Sequence, residues 1–155
     1  MVNPATRIWH GVLRRMSRAN LRREKDLTPA ARLGREGEEA AYWHLRGKGF
    51  IMVAKNYRAR GSHKEIDLIG WEGDTLVFVE VKTRSAETPV APEAVVDREK
   101  ERLLTAAARE YRREARRLAA PIRFDIVSVL ASSGKMKIEH FRDAFRETAS
   151  PEARR

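Results

Sequence analysis

The spacing of hydrophobic positions changes several times along the chain, and each change marks an element. Over residues 28–48 apolar side chains return at helical spacing, with Ala41 and Leu45 on one stripe. Thr28 suits an N-cap, Pro29 suits a first helical turn, and Gly49 supplies the stop. Residues 50–59, with Phe50-Ile51-Met52-Val53 and then Asn56-Tyr57-Arg58, read as a first strand, and Gly61-Ser62-His63 as a turn. Two more strands fill 64–84, joined by Trp71-Glu72-Gly73-Asp74-Thr75. After a polar loop at 85–92, Val96, Leu103, Leu104, Ala107, Tyr111, Ala115 and Leu118 follow a helical period and predict a second helix over 92–118. Residues 122–130 and 135–141 read as strands around a Ser132-Ser133-Gly134 turn. The order α-β-β-β-α-β-β predicts an α/β fold, a mixed sheet flanked by helices.

The second and third strands carry the chemistry. Residues 76–81 run Leu-Val-Phe-Val-Glu-Val, apolar on both faces as in a central, covered strand. Glu80 closes that run, and Lys82 projects to the same face two residues on. On the partner strand Glu65, Asp67 and Ile69 share a face. A two-residue Gly73-Asp74 loop, with glycine at the positive-φ position of a type II′ turn, sets Asp67 opposite Glu80 and Glu65 opposite Lys82. Opposed residues have Cβ atoms ~4.5–5.5 Å apart. Two carboxylates at that distance repel by roughly 3 kcal/mol in a medium of effective dielectric about 20. A shared proton, a strong cation or a divalent metal would offset this. Metal with a neighbouring lysine is the arrangement of a phosphodiester-cleaving site, where the lysine stabilises charge or helps deprotonate water. Glu65 then holds the Lys82 ammonium from across the hairpin. The competing reading is a surface hairpin with cross-strand Glu–Lys pairs; the apolar run before Glu80 favours the metal site.

Two further inward-facing charges fit this picture. Glu38 lies seven residues before Leu45, on the inward stripe of the first helix. A carboxylate there is unusual, and one reading pairs it with a nearby arginine. Lys100 lies four residues after Val96 and is likewise inward, either approaching the acids to hold a phosphate or snorkelling to water. His44 reads as a surface residue, and His10, His63 and His140 show no ligand spacing.

Composition narrows the partners. The 155 residues suit one domain, 42% are hydrophobic, and the absence of cysteine excludes disulfides and thiolate metal sites. No apolar run is long enough for an integral membrane segment, and no secretory signal is visible, which fits a cytoplasmic protein. The net charge of +10 favours a polyanionic partner, nucleic acid first and anionic membrane second. Half of that excess falls in residues 1–27, read as a basic arm. There Ile8, Trp9, Val12, Leu13 and Met16 fall on one side at helical spacing, giving either an amphipathic helix or a frayed tail. The domain spans 28–145, and 146–155 form a second tail. Arg84 can contact a phosphate beside the metal, and Arg112, Arg113, Arg116 and Arg117 form the cluster best placed to grip a nucleic-acid backbone.

Asp67 and Glu80-Val81-Lys82 resemble the PD-(D/E)xK nuclease superfamily. More closely, the chain resembles the bacterial YraN-type family, uncharacterised protein family 0102. The resemblance is carried by Gly34 and Glu38; Asn56-Tyr57-Arg58; Glu65-Ile66-Asp67-Leu68-Ile69; Phe78 to Arg84; Arg123-Phe124-Asp125; and Ala144-Phe145. One departure is Lys64, where that family has glycine before Glu-Ile-Asp. The resemblance implies a restriction-endonuclease-like fold and a Mg²⁺- or Mn²⁺-dependent DNA endonuclease. Asp67, Glu80 and the Val81 carbonyl would then hold the metal, with Lys82 catalytic and Glu38, Glu65 and Lys100 supporting. Likeness to Holliday-junction resolvases implies branched or recombination DNA and a homodimer. The alternatives are a non-catalytic nucleic-acid-binding protein with a nuclease fold, and a membrane-surface adaptor acting through the basic arm.

Overall fold

A computed structural model of the chain describes residues 27–60, 65–87 and 97–147. Among these the elements are α1 Pro29–Gly47, β1 Ile51–Arg58, β2 Glu65–Glu72, β3 Thr75–Ser85, α2 Arg98–Glu114, β4 Ile122–Ser132 and β5 Lys135–Phe145, in the predicted α/β order. The basic arm at 1–26, the turn at 61–64, the loop at 88–96 with Val96, and the tail at 148–155 lie outside the described residues. The chain divides into two compact units, Met1–Leu33 and Gly34–Arg155. In the first, Thr28 caps α1 as predicted, its hydroxyl accepting the Ala31 N–H at 3.2 Å.

In the second unit five strands form one mixed sheet in the order β1-β2-β3-β4-β5. The pairs β1/β2, β2/β3 and β4/β5 are antiparallel, and β3/β4 is parallel. The parallel pair requires a crossover, and α2 lies within it. One face of the sheet packs Leu68, Val77, Val79, Val127 and Val129 against Ala41 and Leu45 of α1. The other packs Leu76, Phe78, Phe124 and Ile126 against Leu104, Ala107 and Ala108 of α2. Hence β3 is apolar on both sides, as its sequence requires. At the β2–β3 turn Gly73 has φ +59, while Ser133 and Gly134 both have positive φ, the signature of a type I′ turn between β4 and β5.

Two boundaries differ from expectation. Helix α2 starts behind Asp97, whose side chain accepts the Lys100 N–H at 2.8 Å, and ends at Glu114. Arg116, at φ +54, turns the chain away. Leu118 therefore leaves the buried stripe and is 61% exposed. Strand β5 runs on to Phe145, whose ring stacks on Phe124 at a centroid distance of 4.7 Å and extends the α2-side core. Among the described residues no helix is long and apolar enough to cross a membrane.

Candidate active site

The predicted hairpin register holds, and it stops at the acids. Glu72 pairs with Thr75, and successive pairs continue to Leu68 with Val79. The next position would oppose Asp67 and Glu80, but there the ladder ends. Asp67 Oδ2 instead accepts the Val81 N–H at 2.7 Å, replacing a backbone carbonyl with a carboxylate. The second half of the expectation changes with this. Glu65 pairs with Arg58 on β1, and its carboxylate accepts from Arg58 Nε at 2.9 Å, so the β2–β3 ladder never brings it opposite Lys82. Its surroundings are those of a salt bridge at the β1 edge.

Glu80 is 7% exposed and lies on the α2 side of β3 by alternation with Phe78. Helix α2 approaches there with its first turn, and the Lys100 ammonium pairs with Glu80 Oε1. Lys100 thus takes the inward of its two expected positions. Burial pushes the Asp67 carboxyl up to about 7, and the Glu80 and Glu38 charges push in the same direction. The Val81 N–H and the Lys100 charge oppose the shift without cancelling it. Asp67 thus sits in a site with too little positive charge for its acids.

Glu38 reaches the site from α1. Gly37 is buried against β3, and a Cβ there would overlap the Thr83 hydroxyl, so only glycine lets α1 come this close to the end of β3. The adjacent Glu38 carboxylate accepts from Asn56 Nδ2 at 2.9 Å. Asn56 was legible only as part of a sequence motif. Its site role is signalled by an asparagine inside a strand, a residue type depleted there. Lys82 and Arg84 follow Glu80 along β3, partly buried and in register with Ser128 and Leu130 of β4.

Among the described residues no three His, Cys, Asp or Glu side chains converge as a metal cage. The donors on hand are two carboxylates with a backbone carbonyl next to Glu80. An all-oxygen set with one or two carboxylates and several waters is what Mg²⁺ accepts, so the residues fit that class of ion.

The arginine cluster at the far end of α2 divides. Arg112 is drawn inward, its side chain 15% exposed, donating to the Leu118 carbonyl and lying 3.7 Å from Glu147. It braces the end of the helix and does not offer a free phosphate contact. Arg113 pairs with Glu110 at 2.5 Å while remaining 64% exposed. Arg116 and Arg117 are exposed.

Comparison with known proteins settles the family. The profile of uncharacterised protein family UPF0102 matches residues 37–129, which include every acid and lysine of the site. The chain belongs to this family. It is 48% identical to a UPF0102 protein of Solibacter usitatus over 112 residues, 72% of this chain and 84% of the relative. It is 41% identical to one of Koribacter versatilis over 122 residues, 79% and 85% of the two chains. It is 38% identical to one of Geotalea uraniireducens over 124 residues, 79% and 96%.

This UPF0102 chain holds a second buried charged group, within the Arg123-Phe124-Asp125 motif. Asp125, fully buried on β4, accepts from Arg123 Nε and Nη2 at 2.7 and 2.9 Å and from the Asp143 N–H at 3.0 Å. His140 Nε2 lies 2.7 Å from its Oδ2. Arg123 also donates to Glu72 at 2.7 Å, and Arg142 donates to Glu72 from the rim. Burial alone would raise the Asp125 carboxyl, but His140, Arg123 and the Asp143 N–H hold it down to about 2. His44, expected at the surface, is half-buried, and the His140 side chain is 1% exposed, while His10 and His63 lie outside the described residues. Desolvation, Lys48 and His140 lower the pKa of His44.

Proposed function

We propose that this UPF0102 protein is a divalent-cation-dependent nuclease that hydrolyses phosphodiester bonds in DNA. The observation that supports it most is the end of the β2–β3 ladder. There Glu80 is buried beside an Asp67 whose carboxylate is pinned by the Val81 N–H, and burial, aided by the Glu80 and Glu38 charges, raises Asp67 to about 7. Mg²⁺ or Mn²⁺ held by Asp67, Glu80 and the Val81 carbonyl would supply charge for a phosphate oxygen and a more acidic water. The chain's own groups do the rest. The Val81 N–H fixes the Asp67 carboxylate before any ligand arrives. Lys82, on the Glu80 face, stabilises negative charge on the reacting phosphate. Lys100 occupies Glu80 while no other cation does, and once displaced stands beside the site to hold a phosphate oxygen. Arg84, Arg116 and Arg117 contribute contacts to the DNA backbone. The family likeness extends this reading to branched or recombination DNA and a homodimer.

The Lys100–Glu80 pair favours one rival, a non-catalytic DNA-binding protein in which lysine permanently satisfies the acid. Incubation of purified protein with labelled linear, flapped and four-way DNA, in Mg²⁺, Mn²⁺ or EDTA, separates the two. Cleavage that needs the metal and disappears in Asp67→Asn and Lys82→Ala is the expected result. Binding without cleavage of any substrate selects the rival. The membrane-surface alternative rests on residues 7–25, outside the described residues; liposome flotation tests it.

A further inference from the structure

Strand β1 breaks its own alternation next to the acids. Lys55 lies on the α1 side, bonded to Glu39 at 2.5 Å and 4.8 Å above the Tyr42 ring. Tyr57, two residues on, lies on the α2 side against Tyr111 at a centroid distance of 5.0 Å. Residues two apart in a regular strand share a face. The same reversal occurs across the ladder in β2, where Leu68 belongs to the α1-side core and Ile66 to the α2-side core. Lys55 pairs with Leu68 and Tyr57 with Ile66, which sets Asn56 across from Asp67. Both strands turn over at this one pair. The conformational cause is Asn56, at φ +50, where asparagine is the non-glycine residue best able to sit.

We infer that Asn56 is a positioning residue of the candidate centre. Its left-handed backbone turns β1 and β2 over at Asp67, and its amide holds the Glu38 carboxylate. The turn-over frees Asp67 from the regular pleat, so that its carboxylate reaches the Val81 N–H across the opened ladder. Asn56 Nδ2, at 2.9 Å from Glu38 Oε2, fixes the orientation of an acid that repulsion from Asp67 would otherwise turn away. Asparagine combines a ready left-handed conformation with a side-chain donor; glycine supplies the first and lacks the second. This role rests on the cation-dependent reading above.

The test uses the full chain and Mn²⁺ alone, followed by electron paramagnetic resonance. Asn56→Gly keeps the backbone conformation and removes the amide. It should weaken Mn²⁺ binding by roughly tenfold or more, as loss of a group that supports the ligands from outside does, with the melting temperature nearly unchanged. Glu38→Gln should weaken binding too, and the double variant should be no worse than the poorer single one, since the amide acts through Glu38. A general structural role would instead give additive losses. Asn56→Asp keeps the backbone preference and removes the donor. In metal-free protein it should shift the ¹³C resonance of the Glu38 carboxyl carbon, as should Asn56→Gly. Wild-type Mn²⁺ binding with unchanged affinity in Asn56→Gly, or an unmoved Glu38 resonance, overturns the positioning role and leaves the nuclease reading standing. No Mn²⁺ binding by the wild-type chain overturns both.

Discussion

Asp67, half-buried, and Asp125, fully buried, are held by similar backbone contacts and end in opposite electrostatic states. Asp67 sits just past the end of the β2–β3 ladder and Asp125 at the register shift of β4–β5, and each faces a residue of positive φ, Asn56 at +50 and Asp143 at +50. Each takes a backbone N–H on its carboxylate, from Val81 at 2.7 Å and from Asp143 at 3.0 Å. The difference is company. Asp125 has Arg123 and His140, and stays ionised with a pKa near 2. Asp67 has Glu80 and Glu38 nearby with Lys100 as the opposing charge, and rises to about 7. A buried acid that is fully bonded reads as structure. One left short of positive charge reads as a place for a cation to enter.

The largest effect expected from this contrast is at Asp125. Asp125→Asn leaves the Arg123 guanidinium and His140 facing a neutral amide at a fully buried position. Losing one partner of a buried charged network costs about 3–5 kcal/mol. Urea denaturation at pH 7 should show that loss. A change below about 1 kcal/mol, the scale of an exposed pair, would mean that Asp125 is no better compensated than a surface acid.

Asp67→Asn should act in the opposite direction, and only over part of the pH range. The folded-state pKa of Asp67 is raised from 3.8 to about 7, so the native state binds the extra proton between those values. Stability in EDTA therefore falls as pH rises through that window, by at most on the order of 4 kcal/mol. The substituted amide carries no such charge, so Asp67→Asn should raise the melting temperature at pH 8 in EDTA, with the gain shrinking towards pH 4. Asp125 contributes the reverse slope: its pKa is depressed, so its stabilisation is present above about 4 and is lost as pH falls towards 2. A metal-free melting curve with no pH-dependent difference between wild type and Asp67→Asn would remove the electrostatic contrast between the two sites.

At the other end of α2 the same distinction between compensated and available charge applies to arginines. Removing Arg116 and Arg117 together should lower the salt dependence of DNA binding by roughly 1.8 in log–log slope, if each neutralises one phosphate. Arg112→Ala should leave that slope unchanged and lower thermal stability, because its guanidinium already serves the Leu118 carbonyl. Equal slopes for both variants would return Arg112 to the surface set.

The sheet and its register were legible because periodicity and a two-residue turn fix them locally. Gly73-Asp74 alone sets the pairs from Glu72–Thr75 to Leu68–Val79. Where the register stops was not legible. It depends on Asn56 adopting positive φ on a third strand, and on an acid taking an N–H that a carbonyl takes in a regular ladder. The inward direction of Glu38 and Lys100 followed from helical spacing, but their partners did not, since Asn56 and Glu80 arrive from other elements. Asp125 and His140 escaped for the same reason: fifteen positions separate them in sequence, and only the β4–β5 pairing joins them.

Glu65 offers the smallest effect and the sharpest check on where the candidate site ends. It carries the same negative charge as Asp67 two residues along β2, yet its environment differs in kind. Its carboxylate meets Arg58, whose side chain is 74% exposed, at 2.8 Å from Nη2. An ion pair this open to water contributes about 0–1 kcal/mol and is screened by salt. Glu65→Gln keeps an acceptor for the Arg58 donor, so the loss should fall at the lower end of that range and vanish in high salt. Metal affinity should be unchanged, because the carboxylate lies with the β1 edge and away from the Asp67–Glu80 pair. Calorimetric Mn²⁺ titration of Glu65→Gln alongside Asp67→Asn checks this directly. If the two variants lose affinity equally, the boundary between ligand and surface pair lies one step further along β2, and Arg58 is a competitor for a site acid instead of its structural partner.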